Sequence, residues 1–182
     1  LIVEHGSKSP AVEAARKLGV LVIELAVADS AAAGHFSLGA VPAAVCASGG
    51  PARAEDVAMV LHTSGTTSRP KRVPLSGANL CASAGNIAAA LKFTAQDVGL
   101  NTMPPFHIHG LLAGLLAPLS AGSQVFCTPG FNALRFFKWM DEAHPTWYTA
   151  VPTMHQAIAS RASKNLDVIA RHPLRFLRSS SS

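Results

Sequence analysis

The segment Leu61–Lys71 reads Leu-His-Thr-Ser-Gly-Thr-Thr-Ser-Arg-Pro-Lys, and it sets five hydroxyl side chains, Thr63, Ser64, Thr66, Thr67 and Ser68, around a single glycine, Gly65. Small side chains let a backbone approach a ligand closely, and rotatable hydroxyls supply donors that suit phosphate oxygens. Lys71 closes the segment with a compact positive charge of the kind that meets a polyphosphate. The chemistry these residues point to is a grip on an anionic phosphate chain. A polar turn with no ligand is the competing reading of any Ser/Thr/Gly cluster.

A Walker-type phosphate loop nearly fits the spacing, since Lys71 lies where that lysine would lie when counted from Gly65. The neighbours disagree. Pro70 stands where the second glycine is needed and removes a backbone N–H from the phosphate nest, while Arg72 replaces the hydroxyl residue that would meet magnesium. Val73-Pro74 then prevents a helix from starting at once, so no helix N-terminus faces the phosphate.

The elements that must hold this loop alternate along the chain. Val57–Leu61 is an apolar run suited to a buried strand, and Val73-Pro74-Leu75 resumes extended structure after the loop. Before it, the pattern predicts a strand over Leu1–Val3. A helix over Pro10–Leu18 follows, with Ser9 as N-cap and Gly19 as its stop, and then an apolar strand over Val20–Leu25. Residues 26–54, rich in Ala, Gly, Ser and Pro, read as an irregular connector. After the loop, Gly77–Lys92 is the clearest helix, with Ser76 as N-cap and Leu80, Ala84, Ile87, Ala88 and Leu91 on one face. Strands are predicted at Val98–Met103, Ser123–Cys127, Trp147–Val151 and Arg175–Arg178. Helices are predicted at Ile108–Leu119, Asn132–Ala143 and Thr153–Arg161. Such alternation argues for an α/β fold with a mostly parallel sheet and flanking helices.

Bulk properties narrow the function class. Of the 182 residues, 49% are hydrophobic and only 14% charged, enough for a core in about one domain. The apolar stretch Gly110–Ala121 is too short to span a bilayer and contains Pro118, so a buried helix is expected there and no membrane span. Leu1-Ile2-Val3 has no basic region ahead of it and does not read as a signal peptide. Cys46, Cys81 and Cys127 are too few and too far apart for a zinc pattern or a disulfide framework. His5, His35, His62, His144, His155 and His172 show no joint metal spacing, so no metal site is assigned. The formal charge of +5 is scattered rather than gathered into a stripe, which suits an anionic small molecule as well as a nucleic acid. Trp147, Tyr148, Phe136 and Phe137 read as core aromatics rather than a nucleobase platform.

Four segments, in order, resemble the adenylate-forming superfamily of acyl-CoA synthetases, luciferases and peptide-synthetase adenylation domains. Leu61–Lys71 resembles its phosphate-binding signature. Met103-Pro104-Pro105-Phe106-His107-Ile108-His109-Gly110 resembles its second core motif, where an aromatic-His pair borders the acyl pocket. Trp147–Met154 looks like the strand-to-helix segment that follows, and Arg175–Ser179 like the strand leading to the adenine-binding loop. Ser68, Phe-His-Ile-His-Gly and Trp-Tyr-Thr-Ala-Val-Pro are most similar to the oxalate–CoA ligase branch, near the 4-coumarate–CoA ligases. Arg72 departs from the family, which usually has glycine there.

The resemblance implies an ATP-dependent acid–thiol ligase. In two half-reactions a carboxylate and ATP give an acyl-adenylate and pyrophosphate, and the CoA thiol then displaces AMP. It places Thr63, Ser64, Gly65, Thr66, Thr67 and Lys71 on the ATP phosphates, and Phe106, His107 and His109 in the acyl pocket. ATP, Mg2+ and CoA are the implied cofactor and co-substrates, with a small carboxylate as partner and no nucleic acid. The resemblance further implies that the chain is an internal part of an adenylating domain. The family's magnesium-holding Thr-Glu, ribose-binding aspartate and C-terminal lid with its catalytic lysine would then lie elsewhere, and this stretch would be inactive alone. A cytoplasmic or peroxisomal setting, not a secreted one, is expected. A non-catalytic nucleotide-binding module and a basic nucleic-acid-binding domain are the rival functional classes.

Overall fold

The computed structural model describes residues 1–28, 32, 34–40, 50–63 and 71–180. They fall into two compact units, Leu1–Pro51 and Ala52–Ser182. In the first unit β1 (Ile2–Glu4) pairs in parallel with β2 (Ile23–Ala26), and β2 pairs antiparallel with β3 (Ser37–Leu38). The connecting helix α1 (Pro10–Lys17) begins where its cap chemistry requires: the Ala11 N–H donates to Ser9 Oγ at 3.3 Å, and Pro10 opens the first turn. Gly19 then adopts φ +66°, a conformation glycine enters without a Cβ penalty. β3 lies inside the stretch expected to be an irregular connector, and β2 starts three residues later than expected, the Val20 N–H still donating to the Ala15 carbonyl of α1 at 2.8 Å.

The second unit opens with a hairpin. β4 (Val57–Thr63) runs antiparallel to β5 (Lys71–Ser76), with Thr63 opposite Lys71 at the closed end. β4 is not the buried strand its apolar composition suggests: Val57 is 61% exposed and Val60 48%. Helix α2 (Gly77–Leu91) follows directly, and a reciprocal cap starts it. The Asn79 N–H donates to Ser76 Oγ at 3.2 Å, while the Ser76 N–H donates to Asn79 Oδ1 at 3.1 Å. Its apolar face packs Leu80, Ala84 and Ile87 against Leu112, Leu116 and Ala117.

The main sheet has four parallel strands in the order β7 (Gln124–Cys127), β6 (Val98–Asn101), β8 (Trp147–Ala150) and β9 (Phe176–Ser179). β6 is followed by a π-helix, His109–Leu116, that continues into α3 (Ala117–Ser120). Helix α4 (Phe136–Ala143) joins β7 to β8, and α5 (Pro152–Ala162) and α6 (Leu166–Arg171) join β8 to β9. Alternation along β8 explains its two buried faces. Tyr148 and Ala150 join Leu100, Phe136, Phe137, Met140 and Ile158 in one cluster. Trp147, fully buried, turns the other way and packs between Phe93, at 4.7 Å, and Phe176, at 5.4 Å and nearly parallel. The expected α/β class with a mostly parallel sheet and flanking helices is thus observed, and the four aromatics read as core are core.

Candidate functional site

At the closed end of the β4–β5 hairpin, Thr63 and Lys71 are register partners, and Lys71 is exposed. Ser64, Gly65, Thr66 and Thr67, predicted to grip phosphate, lie outside the described residues, as does Ser68. What the structure supplies for this candidate is its frame. Two antiparallel strands bring the ends of the hydroxyl segment together, with Lys71 heading the returning strand and Arg72 next to it, opposite His62.

The second group of predicted residues stands where β6 ends. In parallel sheets ligands gather outside the carboxyl ends of the strands, and three such ends meet here. Phe106 and His107 are exposed on the turn after β6, their rings 4.7 Å apart. His109 opens the π-helix and is half-buried. Its Nε2 lies 2.6 Å from Thr149 Oγ1, on β8, and 2.9 Å from Arg178 Nη1, on β9. His107 and Phe106 are not part of this cluster.

The π-helix has local causes. Asn101, buried at the end of β6, donates from Nδ2 to the Gly110 carbonyl at 3.0 Å and accepts the Met103 N–H at 3.2 Å. Gly110 and Gly114 make that approach possible. A Cβ at Gly110 would sit 2.2 Å from the Pro104 carbonyl oxygen, and one at Gly114 2.5 Å from Asn101 Oδ1. A single widened π stretch inside a helical segment recurs at functional sites, and here it starts at the histidine.

Chemistry fixes the state of His109. A guanidinium can only donate, so Nε2 beside Arg178 must present its lone pair. Burial, together with the charge of Arg178 and the proximity of His155, holds the His109 pKa below the ordinary imidazole value. Arg178 is itself half-buried, which lowers its pKa, and no carboxylate among the described residues pairs with it. On its backbone side the Arg178 carbonyl lies 3.2 Å from His155 Nε2, and Thr149 Oγ1 is 3.3 Å from it. His155 Nδ1 in turn lies 3.0 Å from the Tyr148 hydroxyl, whose pKa burial pushes up to about 12.

Thr149, Arg178, His155 and Tyr148 were not expected at this site. Two weak signals were present: a lone arginine at the end of the apolar strand Phe176–Ser179, and a threonine inside the wholly buried Trp147–Ala150. Among the described residues no group of three His, Cys, Asp or Glu side chains is placed to hold a metal ion. No helix of the described residues is long and apolar enough to cross a membrane. Cys81 and Cys127 are free thiols.

Residues 2–180 match the family described as AMP-binding enzyme. The chain belongs to this family. Over 130 residues, 70% of this chain and 25% of the relative, it is 48% identical to an oxalate–CoA ligase of Arabidopsis thaliana. An oxalate–CoA ligase of Saccharomyces cerevisiae is 38% identical over 133 residues, 73% of this chain and 24% of that protein. Among solved structures, ATP-bound MatB of Rhodopseudomonas palustris is similar with TM-score 0.72 and 26% identity, covering 98% of this chain and 34% of that one. A malonyl-CoA ligase product complex with methylmalonyl-CoA and AMP gives 0.71 and 28% identity over 98% of this chain and 35% of that one. The AMP-binding chain therefore spans about a quarter of the length of the curated relatives it matches.

Proposed function

We propose that the chain belongs to an ATP-dependent carboxylate–CoA ligase and carries its triphosphate-gripping loop and part of its acyl pocket, with oxalate or a similarly small carboxylate as the acid. The observation that carries this reading is the cluster at the carboxyl ends of β6, β8 and β9. A neutral imidazole, a threonine hydroxyl and a half-buried guanidinium with no carboxylate partner among the described residues meet there. A substrate carboxylate matches that cluster in charge and in hydrogen bonding.

In the first half-reaction a carboxylate oxygen attacks the α-phosphorus of ATP. The new bond is a mixed anhydride, and the α–β phosphoanhydride bond breaks to release pyrophosphate. Thr63, Ser64, Gly65, Thr66, Thr67 and Lys71 are assigned to the β- and γ-phosphates. Backbone N–H groups, hydroxyls and one cation there stabilise the charge that builds on the leaving group. Phe106, His107 and His109 are assigned to the acyl side, with Arg178 holding the carboxylate in line. In the second half-reaction the CoA thiolate attacks the acyl carbon and AMP leaves with the bonding electrons. The described residues offer no magnesium-holding set, so no step is assigned to the metal.

Substrate-dependent exchange between pyrophosphate and ATP, run on the complete ligase with oxalate, malonate, acetate, coumarate and a long-chain fatty acid, tests the reading. Exchange with one of the small carboxylates is expected. Nucleotide binding with no exchange for any acid would overturn it and leave a non-catalytic nucleotide-binding module. The 182 residues alone, whose match covers about a quarter of those relatives, are expected to show no exchange.

A further inference from the structure

We propose that Arg178 is a positioning residue that locks His109 as the neutral imidazole carrying its proton on Nδ1, and that Tyr148 and His155 hold Arg178 in place from behind. Two hydrogen-bonding arrangements satisfy the 2.6 Å contact between His109 Nε2 and Thr149 Oγ1 taken alone. In one, Nε2–H donates to the hydroxyl, which turns its single proton to the Arg178 carbonyl at 3.3 Å; in the other, the hydroxyl turns that proton to a bare Nε2 and leaves the carbonyl to His155. Arg178 removes the first. Its Nη1 sits 2.9 Å from the same nitrogen and can only donate, so a proton on Nε2 would point two hydrogens at each other. The imidazole proton therefore resides on Nδ1.

The backbone of Arg178 is tied in the same directional way. Its carbonyl can only accept, so His155 donates from Nε2 at 3.2 Å. That leaves His155 Nδ1 to accept the Tyr148 hydroxyl proton at 3.0 Å. The order of donation runs Tyr148 to His155, His155 to the Arg178 carbonyl, and the Arg178 guanidinium to His109. One residue of each adjacent element enters: β8, α5, β9 and the start of the π-helix. The ionisable groups facing His109 are Arg178 from β9 and His155 from α5, with Tyr148 behind His155. Arg178 and His155 oppose a positive charge on the ring, and the neutral Tyr148 hydroxyl leaves it unaffected.

The consequence is for specificity. With Nε2 committed inward, Nδ1–H is the only polar atom of His109 left for a ligand, and it is a donor. It accepts no proton and favours an acyl group that presents an oxygen over one that presents a methyl group. This last step rests on the ligase reading; the tautomer does not.

Nitrogen-15 NMR of the histidine side chains in the ligand-free complete protein tests the lock. A single neutral His109 with Nδ1 protonated, persisting to lower pH than an ordinary imidazole, is expected. In Arg178→Met the proton should move to Nε2, donating to Thr149, and the ring should titrate at higher pH. Thr149→Val keeps the shape of the site and should leave the Nδ1–H form intact. Finding Nε2 protonated in the unaltered protein would overturn the proposal, whatever the variants do, and so would an unchanged His109 in a folded Arg178→Met. If exchange with ATP fails for every acid while the Nδ1–H form is present, the ligase reading falls and the lock stands. If exchange succeeds, Arg178→Met should raise KM for the carboxylate about 10-fold or more with KM for ATP unchanged, since loss of a charge-assisted bond is a ground-state binding loss.

Discussion

Gly110 shows how little space surrounds the opening of the π-helix. A Cβ there would meet the Pro104 carbonyl oxygen at 2.2 Å and the Met103 carbonyl oxygen at 2.9 Å, and both are backbone atoms that cannot swing aside. Gly110→Ala must therefore push the Met103–His107 turn and the π-helix apart. We expect a loss of about 1–3 kcal/mol, the usual cost of forcing a methyl into a packed interior. The same shift should draw His109 off Thr149 and Arg178. A denaturant midpoint equal to that of the unaltered protein would show that the approach is not a real constraint. Lys71 is the opposite case. It is exposed, so Lys71→Ala should leave stability within about 0.5 kcal/mol. If it neutralises the departing pyrophosphate, adenylation should still fall about 100-fold or more, as when one donor to a developing anion is removed. Unchanged exchange kinetics at normal ATP dependence would remove Lys71 from the phosphate site.

At the opposite ends of the same strands, one carboxylate ties several elements together. Asp97, 3% exposed, accepts from the Thr94 N–H at 2.8 Å, the Thr146 hydroxyl at 3.0 Å and Arg175 Nε and Nη2 at 3.0 and 2.9 Å. Arg175 also donates to the Leu91 carbonyl, so the end of α2 and the entries to β6, β8 and β9 share one network. Burial pushes the Asp97 pKa up, but the bonds from Thr94, Thr146 and Arg175 outweigh it and hold the group below the usual carboxylate value. A depressed folded pKa means that the unfolded chain binds the proton first as pH falls. The stabilisation is full above the unfolded value near pH ~4 and is lost as pH drops through the folded value. Asp97→Asn should thus cost about 2 kcal/mol at pH 7, less than a fully buried pair because Arg175 is 41% exposed. The gap should close below about pH 4; a gap independent of pH would show that the charge contributes nothing. Local chemistry of this scale is also what the sequence made legible. Ser9 and Ser76 announce their helices because a cap is settled within three residues, and the strand ends fell within a few positions because turn residues sit beside them. By its sequence the π-helix is an ordinary apolar helix, since its widening is set by Asn101 and two glycine contacts that no periodicity records. α6 was missed because it is short and no side chain caps its start. His109 was legible as a candidate, but its partners are 40 and 69 residues away, and only the parallel register of β6, β8 and β9 brings them together.

Over the whole molecule the excess of 15 basic over 10 acidic side chains invites a comparison between a nucleotide and a nucleic acid as its anion. What matters is how the charge is distributed. Among the described residues Lys17 pairs with Glu13, Lys138 with Glu142, Arg171 with Asp141 and Asp167, and Arg175 with Asp97, so part of the basic charge is answered locally. Arg178 points its guanidinium at His109 and Thr149 instead of presenting a row of cations. A polyanion gains affinity only by touching several cations at once, and each phosphate neutralised adds about 0.9 to the slope of log affinity against log salt. A scattered excess of this kind should contact one or two phosphates, so oligonucleotide binding should be weak, with a slope no steeper than about −2. At the proposed phosphate loop ATP would touch the chain at one end of a hairpin only, and it should bind with a similarly shallow dependence. A random-sequence oligonucleotide titrated between low and physiological salt measures the difference. Tight binding with a slope near −4 or steeper would mean that the basic residues form a continuous face, and the net charge would then belong to a nucleic-acid surface rather than to a phosphate loop.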